Sequence, residues 1–144
     1  MTTRRSLTVL ALLAVAGGCG EAHAAEPAAD PLAGRYVVTD VTENGAAHEL
    51  VPGTRITVEF DRHTVVLSAG CNTMSASYRL DGSRMTVGPL ASTEMGCPDG
   101  RNQQDAWLAA LFARPVQVAV GKEKAVISGT TVLAFGPREP VGVG

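Results

Sequence analysis

The sequence predicts an α+β domain: a mostly antiparallel curled sheet or partly open barrel of about eight short strands, with one helix packed on it. Three observations lead there. Short apolar or alternating runs follow one another across tight turns from residue 35 to residue 135. Helical spacing appears in a single stretch, after Cys97. No regular helical crossovers separate the runs, which argues for antiparallel neighbours and against a doubly wound sheet. At 144 residues and 45% hydrophobic content, the chain suits one domain with a leader and tails.

The elements follow in order. Arg35 to Val41 is β-branched and reads as a strand, broken by Glu43-Asn44-Gly45. Thr54 to Phe60 alternates Ile56, Val58 and Phe60 against Thr57 and Glu59, the period of a half-buried strand. Asp61-Arg62-His63 turns the chain into a second arm, Thr64 to Ala69. Met74 to Leu80 meets Arg84 to Val87 across Asp81-Gly82, a strong hairpin signal. Helical spacing then puts Trp107, Leu108 and Leu111 on one face. Pro98 suits the first turn, Asp99 the positive end of the dipole, and Pro115 the stop. Trp107 is expected to be the helix's largest buried group. Val116 to Val120, Ala125 to Ser128 and Thr131 to Phe135 complete the sheet, and the Gly- and Pro-rich tail beyond has nothing to pack.

Residues 1–18 have the layout of an export signal: Arg4 and Arg5, then an apolar stretch from Leu7 to Ala16, then small residues. Ten residues make a helix of ~15 Å, half the ~30 Å hydrocarbon core, so a stable span is not expected. Ala16-Gly17-Gly18-Cys19 is similar to a lipobox, which makes Cys19 the lipidation site and the membrane the first partner. Ala22-His23-Ala24 is a competing site for ordinary signal peptidase, and cleavage after Ala24 releases a soluble secreted form. The lipobox is preferred because three cysteines are odd, and acylating one leaves a pair. Residues 19–31 carry no large apolar side chain and read as a tether. The domain is placed at 32–137 and a tail at 138–144.

The remaining pair, Cys71 and Cys97, is expected to form a structural disulfide in an exported protein. Closing a loop of that length contributes about 3–4 kcal/mol in the chain-entropy model. A redox pair is the alternative, but there is no C-x-x-C and no neighbouring base to lower a thiol pKa. Between and around these cysteines stand Gly70-Cys71-Asn72, Tyr78, then Pro89-Leu90-Ala91-Ser92-Thr93-Glu94-Met95-Gly96-Cys97-Pro98-Asp99. That arrangement resembles the META/HslJ family, with Ala76 standing where the signature has glycine and Asp105 ahead of Trp107 echoing the family's acidic residue before a helix aromatic. The resemblance implies the same α+β fold. It also implies association with stress tolerance, and in some members with antibiotic tolerance or secretion, without an established biochemical activity. Gly70, Asn72, Tyr78, Pro89, Leu90, Thr93, Met95, Asp99 and Trp107 are its motif residues, for which structural roles are expected.

No catalytic residue, metal ligand or cofactor is expected. His23, His48 and His63 show no ligand spacing and read as solvated tether, loop and turn residues. The usual nucleophile, zinc and phosphate-loop motifs are missing from the sequence. A net charge of −2 gives no basic surplus for nucleic acid. Three functions follow. The first is a noncatalytic envelope lipoprotein acting through an unknown protein partner. The second is a carrier of an apolar ligand or acyl chain in the barrel mouth, which requires a cavity left unfilled by Trp107, Phe112 and Leu90. The third is a protein inhibitor presenting the disulfide-held loop from Ala91 to Pro98, which requires an exposed Thr93-Glu94-Met95 tip.

Overall fold

The computed structural model describes residues 30–121 and 124–139. The leader, Cys19 and the tether up to residue 29 lie outside those residues, as do 122–123 and the tail from 140. Among the described residues no helix is long and apolar enough to cross a membrane.

Strand β1 (Gly34–Glu43) is the strand that closes the sheet. Its first part pairs antiparallel with β3 (Thr57–Asp61), from Gly34 opposite Phe60 to Val37 opposite Thr57. Its second part pairs with β10 (Thr131–Phe135), from Val38 opposite Phe135 to Glu43 opposite Thr131. The register shifts between Val38 and Asp40, and that bulge supplies the bend by which one strand serves two neighbours. Around the ring from β3 come β4 (Thr64–Ser68), β5 (Thr73–Asp81), β6 (Arg84–Val87), β8 (Val116–Ala119) and β9 (Lys124–Ser128), which returns to β10. The result is a closed antiparallel barrel. Two short strands lie off it: β2 (Ala46–Ala47) on β1 and β7 (Ala91–Ser92) on β5. The thinnest seam joins β6 to β8 through two residue pairs, Arg84–Gln117 and Met85–Val116, extended by Val118 N–H donating to Ser83 O at 2.7 Å.

Alternation fills the interior. Tyr36, Val58, Phe60, Val65 and Leu67 point inward and are fully buried. Tyr36 stacks on Phe135 with ring centres 5.3 Å apart, and Phe60 meets Tyr78 edge-on at 5.4 Å. Burial raises the pKa of both tyrosines; for Tyr78 its hydrogen bond to the Asp30 carboxylate raises it further. That bond makes Asp30, assigned to the tether by composition, part of the domain, and its other carboxylate oxygen accepts from Leu32 N–H at 2.9 Å. The opposite end of the domain is also longer than expected. Glu139 N–H donates to Arg35 O at 2.8 Å and Arg138 reaches Ala33 O at 3.0 Å, so 138–139 are fixed where a free tail was expected.

Helix α1 (Arg101–Phe112) packs Leu108 and Phe112, both fully buried, into the barrel core. Two expectations for it are corrected. Pro98 and Asp99 both lie outside its first turn: Asp99 and Gly100 are left-handed (φ 62° and 79°), Gly100 takes the N-cap position and no side chain caps the first turn. With Cys97 fixed by its disulfide, the chain must turn sharply to enter the helix, and Gly100 supplies the positive φ. Nor is Trp107 the largest buried group. Gln104, Asp105, Leu108 and Phe112 form the inward face, and Trp107, ~100° round from Leu108, is half-buried at its edge.

Candidate functional site

Four of the motif residues, Gly70, Asn72, Thr93 and Met95, meet at a clamped loop between β7 and α1. Gly70, at φ 109°, ends the turn after β4, and a Cβ there would stand 2.6 Å from the Thr54 side chain. The chain can therefore run close against Thr54 and set Cys71 and Asn72 beneath the loop. Cys71 and Cys97 are joined by a disulfide with Cα atoms 5.9 Å apart.

Asn72 is buried, and its amide acts as a surrogate strand. Oδ1 accepts from Met95 N–H at 2.7 Å and from the Thr93 hydroxyl at 2.9 Å; Nδ2 donates to Met95 O at 3.3 Å. The Thr93 hydroxyl in turn accepts from Thr73 N–H at 3.1 Å. From the helix side, Asn102 Nδ2 donates to Met95 O at 3.0 Å and Asn102 Oδ1 accepts from Cys97 N–H at 2.8 Å. Both backbone polar groups of Met95 are thus held, while its side chain is 54% exposed. Thr93, Glu94 and Gly96 beside it are exposed too.

Two further helix residues stitch this corner together. Asp105 Oδ2 accepts from Asn72 N–H at 2.6 Å. Gln104 accepts from Val51 N–H at 2.6 Å and donates to the Thr54 hydroxyl at 2.8 Å and to Ala69 O. Neither Gln104 nor Asn102 stands out in the sequence. The available signal is that Gln104 and Asp105 stand four and three residues before Leu108, placing polar side chains on the apolar face.

The other motif residues sit apart from the loop tip. Tyr78 packs in the barrel, and Asp99 is exposed. Pro89 and Leu90 line an outer groove of about 570 Å³ with Val87 and with Ala109, Ala110 and Ala113 at the helix. Trp107 stacks against His48, ring centres 4.4 Å apart and planes within 6°. His48 Nδ1 lies 3.1 Å from Glu43 Oε2, so this histidine is a packed residue where a solvated loop side chain was expected. Among the described residues, no group of three or more His, Cys, Asp or Glu is placed to hold a metal ion.

A closed antiparallel barrel with, among the described residues, a single late helix and a disulfide-clamped loop in front of it defines the class of protein. The chain belongs to the META domain family, whose model matches residues 30–139. That match begins at Asp30 and ends at Glu139, the two residues found tied to the barrel. The fold is similar to two solved structures. One is a protein from Burkholderia xenovorans, solved by NMR, at 22% identity and a TM-score of 0.59, with 76% of this chain and 88% of that one covered. A second protein structure, also by NMR, aligns at 19% identity and a TM-score of 0.55, covering 74% and 93%. A comparison with curated proteins returns no match.

Proposed function

We propose that this META-domain protein is a noncatalytic interaction module of the cell envelope, exported on residues 1–18 and anchored through lipid on Cys19. The observation that carries the reading is Met95: an exposed apolar side chain on a backbone held by Asn72, Asn102 and the Cys71–Cys97 disulfide. A contact residue fixed before binding loses little conformational entropy when a partner arrives, which favours affinity. The same exposed, clamped tip meets the requirement for an inhibitor-like loop, the form of partner contact in which a hydrolase is the target.

Photocrosslinking in the exporting cell tests this. A photoreactive residue at position 95 is expected to give one discrete adduct, lost when Cys71 and Cys97 are both replaced by alanine. The same residue at Val120, an apolar position 48% exposed elsewhere on the barrel, serves as control. Equal adducts from both positions, or none from 95, overturn the reading.

An apolar ligand is the second reading, and its observation is the outer groove between Leu90 and Ala113. The barrel interior is a poor place for such a ligand, because Phe112, Tyr36 and Phe60 fill it with fully buried side chains. Any carrier role therefore falls to the groove outside. A lipid-sized adduct in native mass spectrometry of the oxidised chain supports it.

A further inference from the structure

We infer that a second depression, along the C-terminal half of α1, is a binding site for a neutral saccharide. It encloses about 500 Å³ and is lined by Glu43, Trp107, Arg114, Ser128, Thr130 and Thr131, with apolar surface from Leu111. This site is independent of the clamped loop, which lies at the other end of the helix.

The choice of ligand class follows from the lining. Arg114 offers only donors and Glu43, when ionised, only acceptors. They share one depression yet form no ion pair with each other, and Arg114 has no acidic partner among the described residues. One cation and one anion in the same site select against a ligand of strong net charge. Ser128, Thr130 and Thr131 donate their hydroxyl hydrogens to Leu111 O, Asn44 Oδ1 and Glu43 Oε1, which leaves their oxygens as further acceptors beside the Arg114 donors. A ligand matching this set carries groups that donate and accept at once, and sugar hydroxyls do so.

The indole supplies the other half of the match. Sugar rings have apolar C–H faces, and Trp107 gives the site an aromatic wall. His48 braces that wall by lying parallel to it at 4.4 Å. His48 in turn bonds Glu43 Oε2, and Thr131 Oγ1 lies 3.4 Å from Glu43 Oε1. Wall and carboxylate are thereby held in one arrangement before any ligand binds. Ser128 Oγ donates to Leu111 O at 3.0 Å, fixing the β9 side of the depression to the helix and leaving its oxygen as an acceptor.

Trp107 is the chain's single tryptophan, so its fluorescence reads this site alone. The test titrates the oxidised full chain with chitotriose, maltotriose and, as a charged comparison, inorganic phosphate. A saturable change in Trp107 emission with one of the two sugars, and none with phosphate, is expected. Glu43→Gln and Arg114→Gln are each expected to weaken the sugar response about tenfold, the loss of one charge-assisted hydrogen bond. Thermal unfolding of each variant, matched to the parent, shows that the barrel is intact. No saturable response to either sugar overturns the inference. Saturation by phosphate alone overturns it in favour of an anion site, and undiminished sugar binding by both variants overturns the placement.

Discussion

The amide of Asn72 pairs with the peptide groups of Met95 as a neighbouring strand would, accepting its N–H at 2.7 Å and donating to its carbonyl at 3.3 Å. Because the pairing side chain is buried and the paired residue exposes its own, rigidity is generated below the loop and displayed above it. Asn72→Ala removes both bonds and leaves the Thr93 hydroxyl and the Met95 N–H without that acceptor. A loss of about 2–3 kcal/mol is expected in urea unfolding. Amide exchange at Met95 should quicken far more than exchange in β4 or β5, because the ladder between those strands does not depend on this amide. Equal acceleration throughout would mean that Asn72 supports the whole barrel and not the loop.

The disulfide makes a separate contribution. Cys71 and Cys97 are 26 residues apart, and a closed loop of that size lowers the entropy of the unfolded chain by an amount worth about 3–4 kcal/mol. Replacing both by alanine should lower the urea midpoint without changing the barrel's circular dichroism. Replacing Asn72 as well tests coupling. The two constraints hold the same loop, so their combined effect should differ from the sum of the separate ones by more than ~0.5 kcal/mol.

Much of this corner is legible in the sequence, and the reasons differ by element. Alternation in Thr57–Asp61 and the Asp81-Gly82 turn mark their strands directly, because a barrel wall repeats inward and outward positions with period two. The two-residue strands β2 and β7 carry no period at all, and Ala91–Ser92 becomes a strand only because β5 offers it an edge. The helix itself is plain, but of its apolar set Trp107, Leu108 and Leu111 only Leu108 lies on the fully buried face, with Trp107 and Leu111 partly buried beside it. Gln104 and Asp105 face inward instead because the turns at Val51, Ala69 and Asn72 present backbone groups that need partners. That demand comes from distant parts of the chain, so no local pattern announces it. Asp30 escapes notice for the same reason, since its partner Tyr78 is 48 residues away.

Alkaline pH should act on the barrel through its tyrosines. The chain has two, Tyr36 and Tyr78, both buried and both with pKa raised by that burial. A group whose pKa is higher in the folded state contributes stability that is complete below its unfolded value, about 10, and is lost as pH rises through the folded one. Stability should therefore be insensitive to these groups up to about pH 10 and fall above it. Tyrosinate absorbance should appear together with loss of the barrel signal in circular dichroism, in one cooperative step. A tyrosinate signal that develops while the barrel is still folded would show that water reaches one of the rings. Tyr78→Phe should cost about 1–3 kcal/mol near neutrality, because the Asp30 carboxylate loses its hydroxyl partner, and should weaken the alkaline dependence.

Gln104 offers the sharpest test of how α1 is held. Its oxygen accepts from Val51 N–H and its nitrogen donates to the Thr54 hydroxyl and Ala69 O, so the side chain needs both an acceptor and donors in one buried place. Gln104→Glu keeps the shape and the acceptor but sets a carboxylate against the Ala69 carbonyl, with both donated bonds lost. At pH 7 this variant should be less stable than Gln104→Ala, which leaves partners unpaired but buries no charge. Burial raises the pKa of the new carboxyl in the folded state, so the penalty is smallest below its unfolded value of about 4.3 and grows as pH rises above it. Below that pH the protonated carboxyl introduced at position 104 can again donate toward Ala69 O, and the order of the two variants should narrow or reverse. Urea midpoints of both variants at pH 4 and pH 7 read this directly. Parallel pH profiles for the two would mean that solvent reaches position 104 and that the helix is held by Leu108 and Phe112 alone.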